Sequence, residues 1–193
     1  MKNGRGVRVV EGSAIRITGL IAAPCAFGLL SLSAPIMALL RGYTGEKLEI
    51  AGVLMAVLGI TVVFNSLILV TNAMMQAHGH AVVPVINMFI SGVLRLAVVY
   101  ILTGNPNIGI VGTPIGAMIC FLCIAVLNVF SMRRVLENPP AIVKNLIKPF
   151  LAAAIMGACV YGSLQLLMKA GISSRLILCG LPICVGVVVY VVM

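Results

Sequence analysis

Residues 50–71 read IAGVLMAVLGITVVFNSLILVT, twenty-two consecutive positions without a charge. A helix rises ~1.5 Å per residue, so this run is long enough to cross the ~30 Å of hydrocarbon in a bilayer. Working outward, comparable runs occupy 17–40, 81–102, 108–130, 150–168 and 176–193, which makes six predicted spans. The composition agrees: 62% of the 193 residues are hydrophobic, 9% are charged, Trp is absent and the mean hydropathy is +1.21. A soluble domain carries roughly a quarter charged residues, and no compact fold of this size hides so much apolar surface from water. The predicted fold class is therefore all-α, a polytopic transmembrane helical bundle, because a helix satisfies its own backbone hydrogen bonds where water is absent. The period-two alternation of a membrane β-barrel is missing.

Short connectors, such as His78-Gly79-His80 and Thr103-Gly104-Asn105-Pro106-Asn107, carry turn chemistry and leave no room for a soluble domain. The domain reading is a cytoplasmic N-terminal segment, 1–16, followed by a single six-helix transmembrane domain, 17–193. The first run is too long for a signal peptide, and Pro24 stands where a cleavage site wants a small residue. Lys2, Arg5, Arg8, Arg16, Arg133, Arg134, Lys144 and Lys148 fall on one side of the predicted membrane, against Arg41, Lys47, Lys169 and Arg175 on the other. Eight basic residues against four predict that both termini are cytoplasmic in a multi-pass cell-membrane protein. The net charge of +9 then serves topology and contact with anionic membrane lipids. Aromatic residues do not interleave with the basic clusters, so no nucleic-acid partner is predicted.

Catalytic chemistry finds few candidates. The chain has no Asp, and its four acids, Glu11, Glu46, Glu49 and Glu137, fall outside the predicted spans, in loops. His78 and His80 lie two apart on one connector, which suits neither a zinc helix motif nor a nucleophile pair from separate helices. Cys120-x-x-Cys123 lacks a second pair, and all six cysteines lie in apolar runs, where they read as packing residues. No enzyme activity, cofactor or metal is predicted.

The polar residues within the spans carry more information. Arg95 is the one ionisable residue inside the six predicted runs, and a charge at membrane depth costs at least ~2.5–3.5 kcal/mol on insertion scales. Asn87, Ser91 and Arg95 follow at i, i+4 and i+8, a spacing that keeps them on one side of a helix. That face is expected to line a protein interior or a water-filled cavity. Thr61, Asn65 and Asn72 form a second polar series, with Thr113 and Asn128 on the fourth span. With no acid in the predicted runs, the partners open to Arg95 are backbone carbonyls, a lipid phosphate reached by snorkelling, a residue of another chain segment, or an anionic substrate. Pro24, Pro35 and Pro114, with Pro84 and Pro182, predict helix kinks, and Gly112-x-x-x-Gly116 predicts close helix packing.

Several strings match a known pattern in order and spacing. Arg16-Ile17-Thr18-Gly19-Leu20-Ile21-Ala22-Ala23-Pro24, then Gly28 and Ala34-Pro35-Ile36, resembles the opening helix in the C-terminal part of the stage V sporulation protein B group. That group comprises polysaccharide and lipid-linked-oligosaccharide flippases of the multidrug/oligosaccharidyl-lipid/polysaccharide exporter superfamily. Gln76-Ala77-His78-Gly79-His80 with Pro84 is similar to its glutamine, glycine and basic connector, and Arg95 falls where it commonly has a basic residue. Residues 105–116 resemble its loop into a glycine-rich helix start. His80 in place of lysine, and Gly112-Thr113-Pro114 in place of Gly-Ala-Ala, are departures.

The resemblance covers about residues 10–135 and implies fourteen helices in two lobes around a central cavity, with this chain supplying approximately the last six. An apolar run reaching the last residues and a loop-like opening fit that expectation of a fragment, whose partner is the missing N-terminal helices or another chain. The implied function is translocation of an undecaprenyl pyrophosphate-linked glycan for cell-wall or polysaccharide synthesis, with Arg95 contacting the pyrophosphate. The alternatives are a multidrug or cation antiporter of the same superfamily and a non-catalytic membrane scaffold for a glycan synthase. A membrane-embedded transferase is disfavoured by the missing acids.

Overall fold

A computed structural model describes residues 4–104, 111–136, 142–169 and 175–192. Among them are seven helices and no strand: α1 (Gly4–Ser31), α2 (Ser33–Arg41), α3 (Glu46–Ala77), α4 (Val82–Thr103), α5 (Gly112–Val135), α6 (Ile142–Lys169) and α7 (Arg175–Val192). Five of these, taken over Val9–Ser31, Glu46–Ala77, Val82–Thr103, Gly112–Val135 and Asn145–Lys169, are long and apolar enough to cross a membrane; the apolar part of α7, Leu176–Val192, is shorter. The chain is thus a polytopic helical membrane bundle. Asn105, Pro106, Asn107 and Glu137 lie outside the described residues.

The first predicted span departs most from the structure. The residues before it are not a loop: α1 is helical from Gly4 and places Glu11 within its membrane-length part. Glu46 and Glu49 are likewise helical, in the first turn of α3, where carboxylates complement the helix dipole. Assigning all the acids to loops is thereby corrected for these three; hydropathy hid them because a helix runs on past its apolar window. At its other end the first run breaks at Leu32 (φ −110°, ψ 14°). The cause is Pro35, whose ring crowds the carbonyl four residues back, that of Ser31, the last residue of α1. Pro24 lies inside α1, and the helix continues through it. Pro114 sits in the first turn of α5, as Pro84 does in α4, where a missing amide removes no intrahelical bond. Its predicted role as a kink is corrected to that of a helix-start residue.

The connector after α3 is resolved in chemical detail. His78 caps the helix, Gly79 adopts φ 82°, the His80 amide donates to the Met75 carbonyl at 2.9 Å, and the Gly79 amide donates to that of Gln76 at 3.0 Å. This is a Schellman closure, and its left-handed position is what requires glycine.

Helices pack as a row, α4 on α5, α5 on α3, α3 on α1, α1 on α6 and α6 on α7, with α2 against α3 and α7. Helix α4 therefore closes one end of the row and touches α3 only lightly. Ile15, Met74, Met132, Leu136 and Ile142 bring the beginnings of α1 and α6 to the ends of α3 and α5, so these four meet at one membrane face. At that face Glu11 is buried, with its Oε1 3.5 Å from His78 Nε2. The Met74 carbonyl accepts from His78 Nδ1 at 2.9 Å, which leaves Nε2 as the ring atom that faces Glu11. All six cysteines are free thiols.

Close approach rests on small residues. A Cβ on Gly112 would lie 3.0 Å from backbone atoms of Leu102 and Thr103, and one on Gly116 would collide with Val99. The Gly112-x-x-x-Gly116 pair is thus the seat of α4 on α5. Gly162, by contrast, faces open space. Gly112→Val is expected to destabilise the fold by about 1–3 kcal/mol, the usual cost of overpacking. Gly162→Val is expected to cost far less. Thermal unfolding of both variants in the same detergent checks the difference.

Candidate functional site

The junction of α3, α4 and α5 holds a buried polar network. Asn128 on α5 is wholly buried and sits at its centre. Its Nδ2 donates to Asn72 Oδ1 at 2.6 Å and to Thr71 Oγ1 at 3.1 Å, both on α3. Its Oδ1 accepts from Asn87 Nδ2 on α4 at 3.0 Å, and that same amide donates to Ser131 Oγ at 3.1 Å. Thr71 passes its own proton back to the Leu67 carbonyl at 2.8 Å, so its oxygen is free to accept from Asn128. Asn72 Nδ2 reaches Met88 Sδ on α4 at 3.8 Å. Three helices are thereby joined by amides whose alternative partner, in hydrocarbon, would be nothing.

The predicted site residues divide between this network and the surface. Asn72 and Asn87 belong to the network, and Ser91 is fully buried one turn beyond Asn87, its hydroxyl without a hydrogen-bond partner among the described residues. This is the protein interior that the Asn87–Ser91 face was expected to line. Arg95 and Asn65 are exposed instead. A step of four residues turns a helix by ~40°, so Arg95 stands ~80° around α4 from Asn87, and that rotation carries it off the packed face. Arg95 makes no ion pair with any described acid. It projects from a largely apolar surface on which Phe89, Leu96 and Tyr100 are 73%, 74% and 83% exposed. Thr61 is buried and donates to the Leu58 carbonyl at 2.6 Å, so it is satisfied within α3.

Sequence reading overlooked Thr71, Ser131 and the Glu11–His78 contact. Ser131 lies three residues after Asn128, which places both on one face of α5, and Thr71 adjoins Asn72; both signals were present in the spacing. The Glu11–His78 contact carried no local signal, since it joins residues 67 positions apart.

No group of three or more His, Cys, Asp or Glu among the described residues forms a metal cluster. What the geometry offers is a hydrogen-bonded three-helix junction behind an exposed cation on α4 that has no ion-pair partner among the described residues. An ionisable residue at membrane depth is costly and is by default a candidate functional group.

A family model described as Lipid II flippase MurJ matches residues 2–181. The chain belongs to the lipid II flippase family, within the multidrug/oligosaccharidyl-lipid/polysaccharide exporter superfamily. It is therefore a multi-pass cell-membrane protein of a transporter family whose members flip a lipid-linked cell-wall precursor and are not enzymes. Neither a curated protein nor a solved structure matches it.

If Asn87 and Asn128 are directly coupled across α4 and α5, their substitutions are non-additive. A double-mutant cycle with Asn87→Ala and Asn128→Ala should give a coupling of about 0.6–1.7 kcal/mol, the range for polar contacts inside membranes. Asn65→Ala paired with Asn128→Ala should give a sum of independent effects.

Proposed function

We propose that this chain forms part of a machine that flips an undecaprenyl pyrophosphate-linked cell-wall glycan across the cytoplasmic membrane, with Arg95 contacting the pyrophosphate. The observation that carries the reading is Arg95 itself, a permanent cation on an exposed intramembrane helix face without an acidic partner among the described residues. A guanidinium and a phosphate in a medium of low dielectric form a strong, bidentate, charge-assisted contact. Asn65 on α3 is proposed as a second polar contact on the cavity side. Asn72, Asn87 and Ser91 hold the α3–α4–α5 frame that carries Arg95.

In the proposed arrangement the chain is one six-span transmembrane unit over 17–193, preceded by cytoplasmic residues 1–16, with both termini in the cytoplasm. The excess of basic residues on the face where α1 begins supports that orientation. Stage V sporulation protein B remains the proposed subgroup, on the strength of the strings around Pro24, Pro35 and Gln76. The drug or cation antiport reading would have to draw on Glu11, which lines a cavity with His78 at the face where α1 begins, away from Arg95.

The test is translocation in cells whose cell-wall precursor export depends on this protein, with precursor counted in each leaflet. Losing one charged hydrogen-bonded contact costs about 1.5–3 kcal/mol, so Arg95→Ala should slow flipping by about tenfold to a hundredfold. Arg95→Lys should keep part of the activity, because charge survives and the bidentate fork does not. Normal flipping by the alanine variant sinks the assignment. Intact flipping with failed recruitment of a glycan synthase would favour the scaffold reading.

A further inference from the structure

A second basic site lies away from Arg95, between α1, α6 and α7. Arg16, Leu20, Lys148, Pro149, Ala152 and Tyr190 line a cavity of about 400 Å³ that opens to the outside. Arg16 stands immediately before the apolar run 17–40, and Lys148 two residues before the run 150–168. On the predicted runs both therefore stand at the boundary between hydrocarbon and headgroups. Tyr190 comes to the same level from the other direction, near the end of α7. Its hydroxyl donates to the Leu20 carbonyl at 2.7 Å, which ties α7 to α1 and fixes that wall of the cavity.

The charge balance of the site is one-sided. Arg16 and Lys148 are both exposed, and neither forms an ion pair with a described residue. The nearest acid along α1, Glu11, is engaged by His78. The rest of the lining, Leu20, Pro149, Ala152 and Val191 with Tyr190, is mainly apolar, and Ile17 and Leu151, which adjoin Arg16 and Ala152 in sequence, are exposed. A small soluble anion would leave that wall in contact with water. A molecule with a phosphate at one end and hydrocarbon at the other satisfies both parts.

We infer that the α1–α6–α7 cavity binds an anionic glycerophospholipid, its phosphate between Arg16 and Lys148 and an acyl chain along Leu20 and Ala152. Arg16 supplies a planar fork of donors and Lys148 a point charge, so together they neutralise a headgroup that bears net negative charge. A zwitterionic headgroup brings its own cation and gains less. The site is independent of the Arg95 assignment, since it lies on other helices.

The test uses the whole chain in nanodiscs. Native mass spectrometry after transfer to detergent counts bound phosphatidylglycerol against phosphatidylcholine. Expected is one phosphatidylglycerol retained in preference to phosphatidylcholine. At about 1 kcal/mol for each cation near a membrane surface, R16Q/K148Q should weaken retention by about thirtyfold. R16K/K148R should keep it. R133Q/R134Q removes the same charge from the same membrane face at the end of α5, and should leave retention close to that of the parent. For a readout that needs no variant, photoactivatable phosphatidylglycerol should label peptides containing Arg16–Leu20 and Lys148–Ala152. Equal losses in the two double glutamine variants would show only net charge at work and overturn the site. So would equal retention of the two phospholipids, or labelling of those peptides by a polyprenyl pyrophosphate and not by phosphatidylglycerol.

Discussion

Lipid tails are as apolar as the leucines and valines that face them, so hydrocarbon gives these helices no hydrophobic reason to associate. Association must come from close contact and from polar groups that find partners only in one another. Both devices occur where α4 joins the bundle. Gly112 and Gly116 let the backbones of α4 and α5 approach, and Asn128 hands its amide to α3 while receiving that of Asn87 on α4. Elsewhere the same rule recurs with different residues: Gly19 meets Leu146 between α1 and α6, Gly59 meets Leu29 between α1 and α3, and Gly186 meets Val160 between α6 and α7.

This construction has a consequence for transport. A row of helices with α4 at one end leaves one face of α4 without a neighbour among the described residues, and that face carries Arg95 among exposed aromatic and aliphatic residues. The inner face of the same helix is held by a network with little freedom. The same helix thus carries a packed polar face and an exposed basic one. Membership of the lipid II flippase family gives that geometry its biological setting.

At the membrane face where α1 begins, charge is used in two ways. Buried Glu11 and exposed His78 face each other between α1 and the end of α3, and both line a cavity with Val10, Ala14 and Met74. Arg16 and Lys148, further along α1 and α6, are exposed and form no ion pair among the described residues. The first pair brings α1 and α3 together, and the second pair stands on the surface. Residues of one electrostatic class thus serve structure or surface according to whether a counter-charge is within reach.

Helix content, the glycine turn after α3 and membrane residence were legible from local chemistry, whereas of the prolines read as kinks only Pro35 accompanies a helix break. Apolar run length decides whether a segment spans, His78-Gly79-His80 carries its own turn, and Gly112-x-x-x-Gly116 announces a close approach. The ends of α1 and α3 were less legible, because helices extend beyond the hydropathy window that reveals them. The i, i+4, i+8 series at Asn87, Ser91 and Arg95 was read as one face, and the true pitch of the helix splits it into a buried pair and an exposed cation. The tertiary structure alone decided which polar residues meet: Asn128 with Asn72, Asn87 and Thr71, and Glu11 with His78. Spacing within a helix records which side a residue faces. It carries no information on which helix will lie against that side, since neighbours are chosen by packing and hydrogen bonding among segments far apart in the chain.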